Sequence, residues 1–298
     1  MPDQQIPISK RKRILKRQQA LWRERSTWEK RWQQISMHLL PFAGRFYSTD
    51  RNRGDKTFNN IIDSTATRAL RILSAGMMSG MTSPARPWFR LATPDPELME
   101  HESVEVWLAQ VTRLMRDVFH KGNTYRSLHT LYEELGAFNT AATIIDPDFD
   151  YVIWNHPLTA GEYSLATDHR GRVNTLVRKY EMTVEQIVWE FVYQKKLDGG
   201  DDWDAVTQTV KNLWDTHNYD RGIEVIHLIE PRAMRDRDMS SRYARRIPKN
   251  MPIRSCYIEA AANDDKLLRE SGYRDFPALC PRWHTRGGDV YEIGRAHV

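Results

Sequence analysis

Between Ser9 and about Leu40 the apolar positions Ile14, Leu15, Leu21, Trp22, Trp28, Trp32, Ile35 and Leu39 recur at steps of three and four. That period puts them on one side of a helix, so a single long amphipathic helix is predicted. At about 1.5 Å of rise per residue it would be on the order of 45 Å long. Pro41 and Gly44 stop it, and "RFYSTDRNRGDK" follows as a polar loop. A second helix is predicted from about Phe58 to Met81. Ile62, Ala66, Ala69, Leu73, Gly76 and Gly80 line one side of it, with Met77, Met78 and Met81 as adaptable fillers beside them. Small residues on a helix face let another backbone come close, which reads as a close-packed interior helix; Arg68 and Arg71 interrupt it too often for a membrane span.

The prolines at 84 and 87 force an extended run, with "WFRLAT" a short strand. "DPELMEHESVEVWLAQVTRLMRDVFHKGN" then reads as one helix whose acidic start and basic end suit its dipole, with an apolar stripe of Val104, Trp107, Leu108, Val111, Leu114, Met115 and Val118. "TYRSLHTLYEELGAFNTAA" is a further helix. From there the period changes to two: "TIIDPDFDYVIWN", "GEYSLATDHRGRVNTLVRKYEM", "GIEVIHLIEPRAM" and "IRSCYIEAA" are read as strands, with a hairpin turn at Asp168 to Gly171. Thr183 and Gln186 form a capping box for a helix through "VEQIVWEFVYQKK", and another helix is predicted from Asp204 to His217. The class is therefore α+β, long N-terminal helices packed on a mostly antiparallel sheet.

Composition adds limits. A chain of 298 residues, 40% apolar and 28% charged, can bury a sizeable core. Cys256 and Cys280 are the two cysteines, too few for a disulfide framework and without metal-ligand spacing, so both are read as reduced. No apolar run near 18 residues and no signal-peptide core occur, so neither a membrane-spanning nor a conventionally secreted protein is expected.

The net charge of +5 is unevenly spread. Residues 10 to 31 hold ten Lys or Arg against Glu24 and Glu29, and the preferred reading is a helix with a buried tryptophan stripe and a solvated basic face. A second cluster, Arg232 to Arg254, lies between two strands. As a loop it can reach a polyanion, and Arg235, Arg237, Arg242, Arg245 and Arg246 are its candidate DNA-facing residues.

Signatures of chemistry are missing. There is no GxxxxGK[ST], GxGxxG, HExxH or EF-hand loop, and Ser79, in G-x-x-S-G within a helix, is no nucleophile elbow. Asp146, Asp148 and Asp150 in "DPDFD" read as solvated loop acids rather than a cation site. The histidines, His101, His120, His129 and His227 among them, are scattered and are assigned no ligand. Neither catalytic, cofactor nor metal residues are expected.

The run from "DSTA" at Asp63 through Gly76, Gly80, "TSP" ending at Pro84, and "PWFRL" from Pro87 and Trp88, resembles the head-to-tail connecting (portal) proteins of T7-like short-tailed bacteriophages. "RWQQISMHLLPFAGRF" is similar to that family's first helix and its exit, "MTVEQIVWEF" to its helix after the hairpin, and "FPALCPRWHTRGGDVY" to a later stretch. The resemblance covers about residues 20 to 291. It implies that Asp63, Gly76, Gly80, Pro84, Pro87 and Trp88 are packing residues and that the covered part is the portal wing region, with the stem, clip and crown absent. It also implies a structural, non-enzymatic role: a dodecameric ring at one capsid vertex, through which double-stranded DNA passes non-specifically. The partners so implied are a terminase motor, capsid and scaffolding proteins, and tail or adaptor proteins, in the virion and, during assembly, the host cytoplasm.

On this reading residues 1–57 form the N-terminal helix and loop, 58–145 the helical part of the wing and 146–291 its β-rich part. Residues 292–298, "EIGRAHV", are expected to be non-native, since their codons can match the start of a sequencing-library adapter. The alternative from another class is a nucleic-acid-binding accessory protein that uses the Arg232 to Arg254 loop.

Overall fold

The computed structural model describes residues 9–41, 43–46, 61–193, 200–240, 243, 246–262, 264–285 and 287–291, the side chain of residue 235 aside. The tail at 292–298, the polar loop after residue 46 and the start of the second predicted helix therefore lie outside the described residues. In chain order the helices are α1 (Lys10–Leu39), α2 (Thr65–Met81), α3 (Pro96–Met99), α4 (Glu102–Lys121), α5 (Thr124–Phe138), α6 (Val184–Val188) and α7 (Gln208–Asp215). The strands are β1 (Ala142–Asp148), β2 (Val152–Leu158), β3 (Tyr163–Thr167), β4 (Val173–Thr183), β5 (Gly222–Pro231), β6 (Ile253–Glu259), β7 (Arg269–Tyr273) and β8 (Ala278–Leu279). The α+β class is what the sequence predicts. The chain divides into two compact units, Met1–Thr27 with Glu162–Phe276, and Trp28–Gly161 with Pro277–Val298.

The first unit is built on an antiparallel sheet of order β3-β4-β5-β6-β7. Successive residues of a strand point to opposite faces, and both faces are covered here. Ile226, Leu228, Cys256 and Ile258 meet Ile14 and Leu21 of α1 on one face. Val225 and Tyr257 meet Val184, Ile187, Val188, Phe191 and Val210 on the other. Burial on both faces explains why β5 reads as a nearly continuous apolar run rather than a clean alternation. The Asp168 turn closes as predicted: its carboxylate accepts from the Arg170 and Arg172 backbone amides at 2.8 and 2.9 Å, and Gly171 takes φ +75°. The capping box is present too. Thr183 N–H donates to Gln186 Oε1 at 3.0 Å, and Gln186 N–H donates to Thr183 Oγ1 at 3.2 Å. Its helix is shorter than predicted, since α6 gives way to a wide π-helical turn over Trp189–Tyr193.

In the second unit β1 pairs with β2 and β8, and α5 lies on these strands with α2 beside it. Glu134 of α5, buried, accepts from Thr159 Oγ1 at 2.7 Å and from the Ala160 amide at 3.1 Å, tying the helix to the end of β2. Gly161 follows at φ +92°, and a Cβ there would collide with the Arg45 carbonyl, so only glycine fits. The edge of Trp32, fully buried, meets the Tyr291 ring at 5.2 Å.

Three further expectations are corrected. Residues 88 to 93 form no strand and pair with no described one. Trp88 and Phe89 pack on Phe119 of α4, and the Leu91 amide donates to Thr112 Oγ1 at 3.1 Å, so a helix rather than a sheet holds the segment. The helix predicted from residue 95 onward is two, α3 and α4, because His101 is extended (φ −80°, ψ 114°) and starts the second. The helix with the small-residue face is not interior in this chain. α2 buries only Leu70 and Ser74, while Ala66, Ala69, Gly76 and Gly80 face outward.

Candidate nucleic-acid interface and assembly surfaces

The basic loop leaves β5 at Pro231 and re-enters the sheet at Ile253. Its two ends are arginines with structural work. Arg232, buried, donates to the Lys249 carbonyl, to Glu270 Oε1 at 3.0 Å and to the Ser271 carbonyl at 2.9 Å. Arg254 sits opposite Glu230 in the ladder and pairs with its carboxylate. Burial first, and then the like charge of Arg13, push the Arg254 pKa down. Burial works against the Glu270 carboxylate, but the Lys10 hydrogen bond and the charges of Lys10, Arg232 and Lys249 outweigh it and hold that group below the usual carboxylate range.

Of the candidate DNA-facing arginines, Arg237 donates through Nε to the Asn250 carbonyl at 2.7 Å, and Asn250 in turn donates to the Asp238 carbonyl at 2.6 Å. It clasps the loop. Arg246, exposed, lies over the Tyr243 ring at 5.8 Å. The side chain of Arg235, and Arg242 and Arg245, lie outside the described residues. The structure thus presents Arg246 outward and uses Arg237 internally, and it does not show the five as one surface.

The N-terminal helix also departs from a plain basic face. Lys10 pairs with Glu270 at 2.9 Å, Arg13 with Asp236 at 3.5 Å and Arg17 with Glu230 at 3.7 Å. Arg11 is buried and donates to the Glu259 carbonyl at 2.7 Å. Arg25, fully buried, donates to the Tyr163 carbonyl at 2.9 Å and stacks on Trp22 at 4.0 Å. These residues anchor the helix to the sheet. Periodicity reads arginine as polar and so does not find them, although its long stem can be buried while the planar head reaches carbonyls or a ring.

The residues of the D-S-T-A run fall into two kinds. Asp63 Oδ1 accepts the Thr65 amide at 2.8 Å and stops an orphan donor at the start of α2; those hydrogen bonds lower its pKa. Trp88 packs on Phe119 and its Nε1 donates to the Tyr125 hydroxyl at 3.3 Å. Pro84 and Pro87 are exposed, and nothing lies within 4 Å of a Cβ built on Gly76 or Gly80.

Chemistry of other kinds is not assembled among the described residues. Asp148 Oδ1 accepts the Asp150 and Tyr151 amides and Asp146 pairs with His156 at 3.4 Å, so "DPDFD" builds a turn; no group of three or more His, Cys, Asp or Glu could hold a metal ion. Ser79 donates to the Gly76 carbonyl at 3.1 Å within its helix. His227 is fully buried, 2.8 Å from Ser255 Oγ and stacked on Tyr257. Burial pushes the Cys256 thiol up to about 11 and that of Cys280 up to about 12, so both are thiols rather than thiolates at neutral pH. No described helix is long and apolar enough to cross a membrane.

The family model of the bacteriophage head to tail connecting protein matches residues 11–298. The chain belongs to that family. A probable portal protein of Bordetella phage BPP-1 is 56% identical over 260 residues, covering 87% of this chain and 44% of the relative. The portal protein of Salmonella phage epsilon15 is 43% identical over 283 residues, covering 95% of this chain and 48% of the relative. The chain therefore spans about half the length of the curated relatives it matches. The accessory-protein alternative finds no support in these connectors.

Proposed function

We propose that this chain works as a portal protein, the connector between head and tail of a tailed bacteriophage. The observation that carries the reading is the 56% identity to the probable portal protein of Bordetella phage BPP-1, inside a family match that runs from residue 11 to 298. The role is structural and non-enzymatic: a dodecameric ring at one capsid vertex, part of the virion and assembled in the host cytoplasm. DNA is packaged through it by a terminase motor and later ejected, while capsid, scaffolding and tail or adaptor proteins meet its outer surfaces. The described α+β body supplies the wing, with Asp63, Pro84, Pro87 and Trp88 shaping the segment on either side of α2.

Contact with DNA along such a ring is to phosphates and carries no sequence information. Arg246 and its neighbours in the basic loop are the residues for it. Ion pairs at the loop root set its position, since Arg232 and Arg254 are engaged with Glu270 and Glu230. The test is a chimera in which this chain replaces the matching residues of the Bordetella phage portal protein, supplied to a phage lacking its portal. Restored plaques are the expected result; a folded, soluble chimera that never restores them overturns the proposal.

A further inference from the structure

Two uncovered helix faces in the second unit carry matching periods. On α4, Trp107, Val111, Leu114 and Val118 recur at steps of four, three and four, the spacing with which one helix packs along another. Trp107 and Leu114 are 60% and 64% exposed, since α4 buries a different edge through Leu108 and Thr112. On α2, Ala66, Ala69, Leu73, Gly76 and Gly80 recur at steps of three, four, three and four, beside Ile72, which is 73% exposed. One face is bulky and the other shallow. Nothing lies within 4 Å above Gly76 and Gly80, so a large side chain can seat there.

The charges at the start of α4 and around α2 are opposite. Residues 95–105, just ahead of Trp107, carry Asp95, Glu97, Glu100, Glu102 and Glu105, all exposed, with no Lys or Arg; the helix turns basic only further on, at Arg113, Arg116 and Lys121. Residues 64–86 carry Arg68, Arg71 and Arg86, all exposed, with no Asp or Glu. Apolar seams left open on a folded chain mark interaction surfaces, and opposite charge selects the pairing.

We propose that the Trp107–Leu114 seam of α4 on one copy packs along α2 of a second copy of this chain, with residues 95–105 facing Arg68, Arg71 and Arg86. The inference rests on the ring reading and says which surfaces close it. Each copy offers both faces, so the contact is head-to-tail, and such contacts repeated about an axis give a closed ring.

The test is disulfide trapping in the full chain. Gly76→Cys in one preparation and Leu114→Cys in another are mixed and oxidised; both sites are open, and melting curves check that each variant folds. Cys256 is buried, and Cys280, which is half-buried, is replaced by serine in every preparation so that the introduced thiols are the accessible ones. The mixture is expected to give cross-linked dimers, and a chain with both substitutions a ladder beyond dimer. Trp107→Arg should cut the yield at least tenfold. Yields no higher than those of a control pair, Leu114→Cys with His169→Cys, overturn the interface. Electron microscopy of the same samples separates the two claims. Closed rings without the cross-link overturn this interface and leave the ring reading standing, whereas cross-linked open chains without rings support the interface and count against the ring.

Discussion

Removal of the Glu230 carboxylate tests whether the root of the basic loop is structural. The Arg254 and Glu230 side chains are 9% and 12% exposed and form a pair across β5 and β6. In Glu230→Ala the guanidinium stays buried without its carboxylate, and the like charge of Arg13 stands nearby. Breaking a buried pair from one side costs about 3–5 kcal/mol, because the stranded charge is not rehydrated. For a unit of this size that lowers the melting temperature by roughly 6–20 °C. Replacing both partners, Glu230→Met with Arg254→Met, removes charge and carboxylate together and should be close to neutral. Chemical denaturation followed by far-ultraviolet circular dichroism measures both. A single substitution within about 0.5 kcal/mol of the parent would mean that Arg254 reaches water freely and that the pair does not hold the loop root. The consequence for function is direct: weaker DNA binding by Arg254→Ala would report a disordered loop, not a lost phosphate contact.

Gly161→Ala should destabilise by at least about 2 kcal/mol in a denaturation series, because it combines a positive φ with a clash at the Arg45 carbonyl. Glu134→Ala leaves the Thr159 hydroxyl and Ala160 amide without this acceptor and should cost about 1–3 kcal/mol, with Glu134→Gln milder. Burial raises the pKa of Glu259, so the folded state holds a proton at pH values where the unfolded chain has lost it. Stability from this group therefore falls as pH rises through that raised value, and Glu259→Gln should raise the melting temperature at pH 8 while converging with the parent in acid. Arg246→Ala should leave the melting temperature unchanged and, on the proposed DNA contact, reduce the slope of binding against log salt by about one.

The strands with both neighbours in the sheet were legible, because β4, β5 and β6 carry β-branched and aromatic runs bounded by a turn and a capping box. β7 was not: "RESGY" has no apolar alternation, and its place is set by Arg232 and Lys10 meeting Glu270 and by the tight seat of Gly272 under the Pro248 carbonyl. Those contacts come from residues tens to hundreds of positions away. The same limit applies to the units. Both gather separated segments, and no local pattern states that α1 gives its first residues to one unit and its later ones to the other. Trp107 and Leu114 belong to an apolar stripe that the sequence cannot divide into a covered and an open part; only the position of Leu108 and Thr112 against their neighbours does so. The loop arginines were visible as charge, but Arg232 and Arg254 separate from Arg246 only by what each donates to.

A chain that builds a portal ring leaves one unmistakable trace, visible by electron microscopy of the purified Bordetella phage chimera. The prediction is a closed ring with an axial hole in the class averages. A monodisperse monomer, folded but never closing, would contradict it.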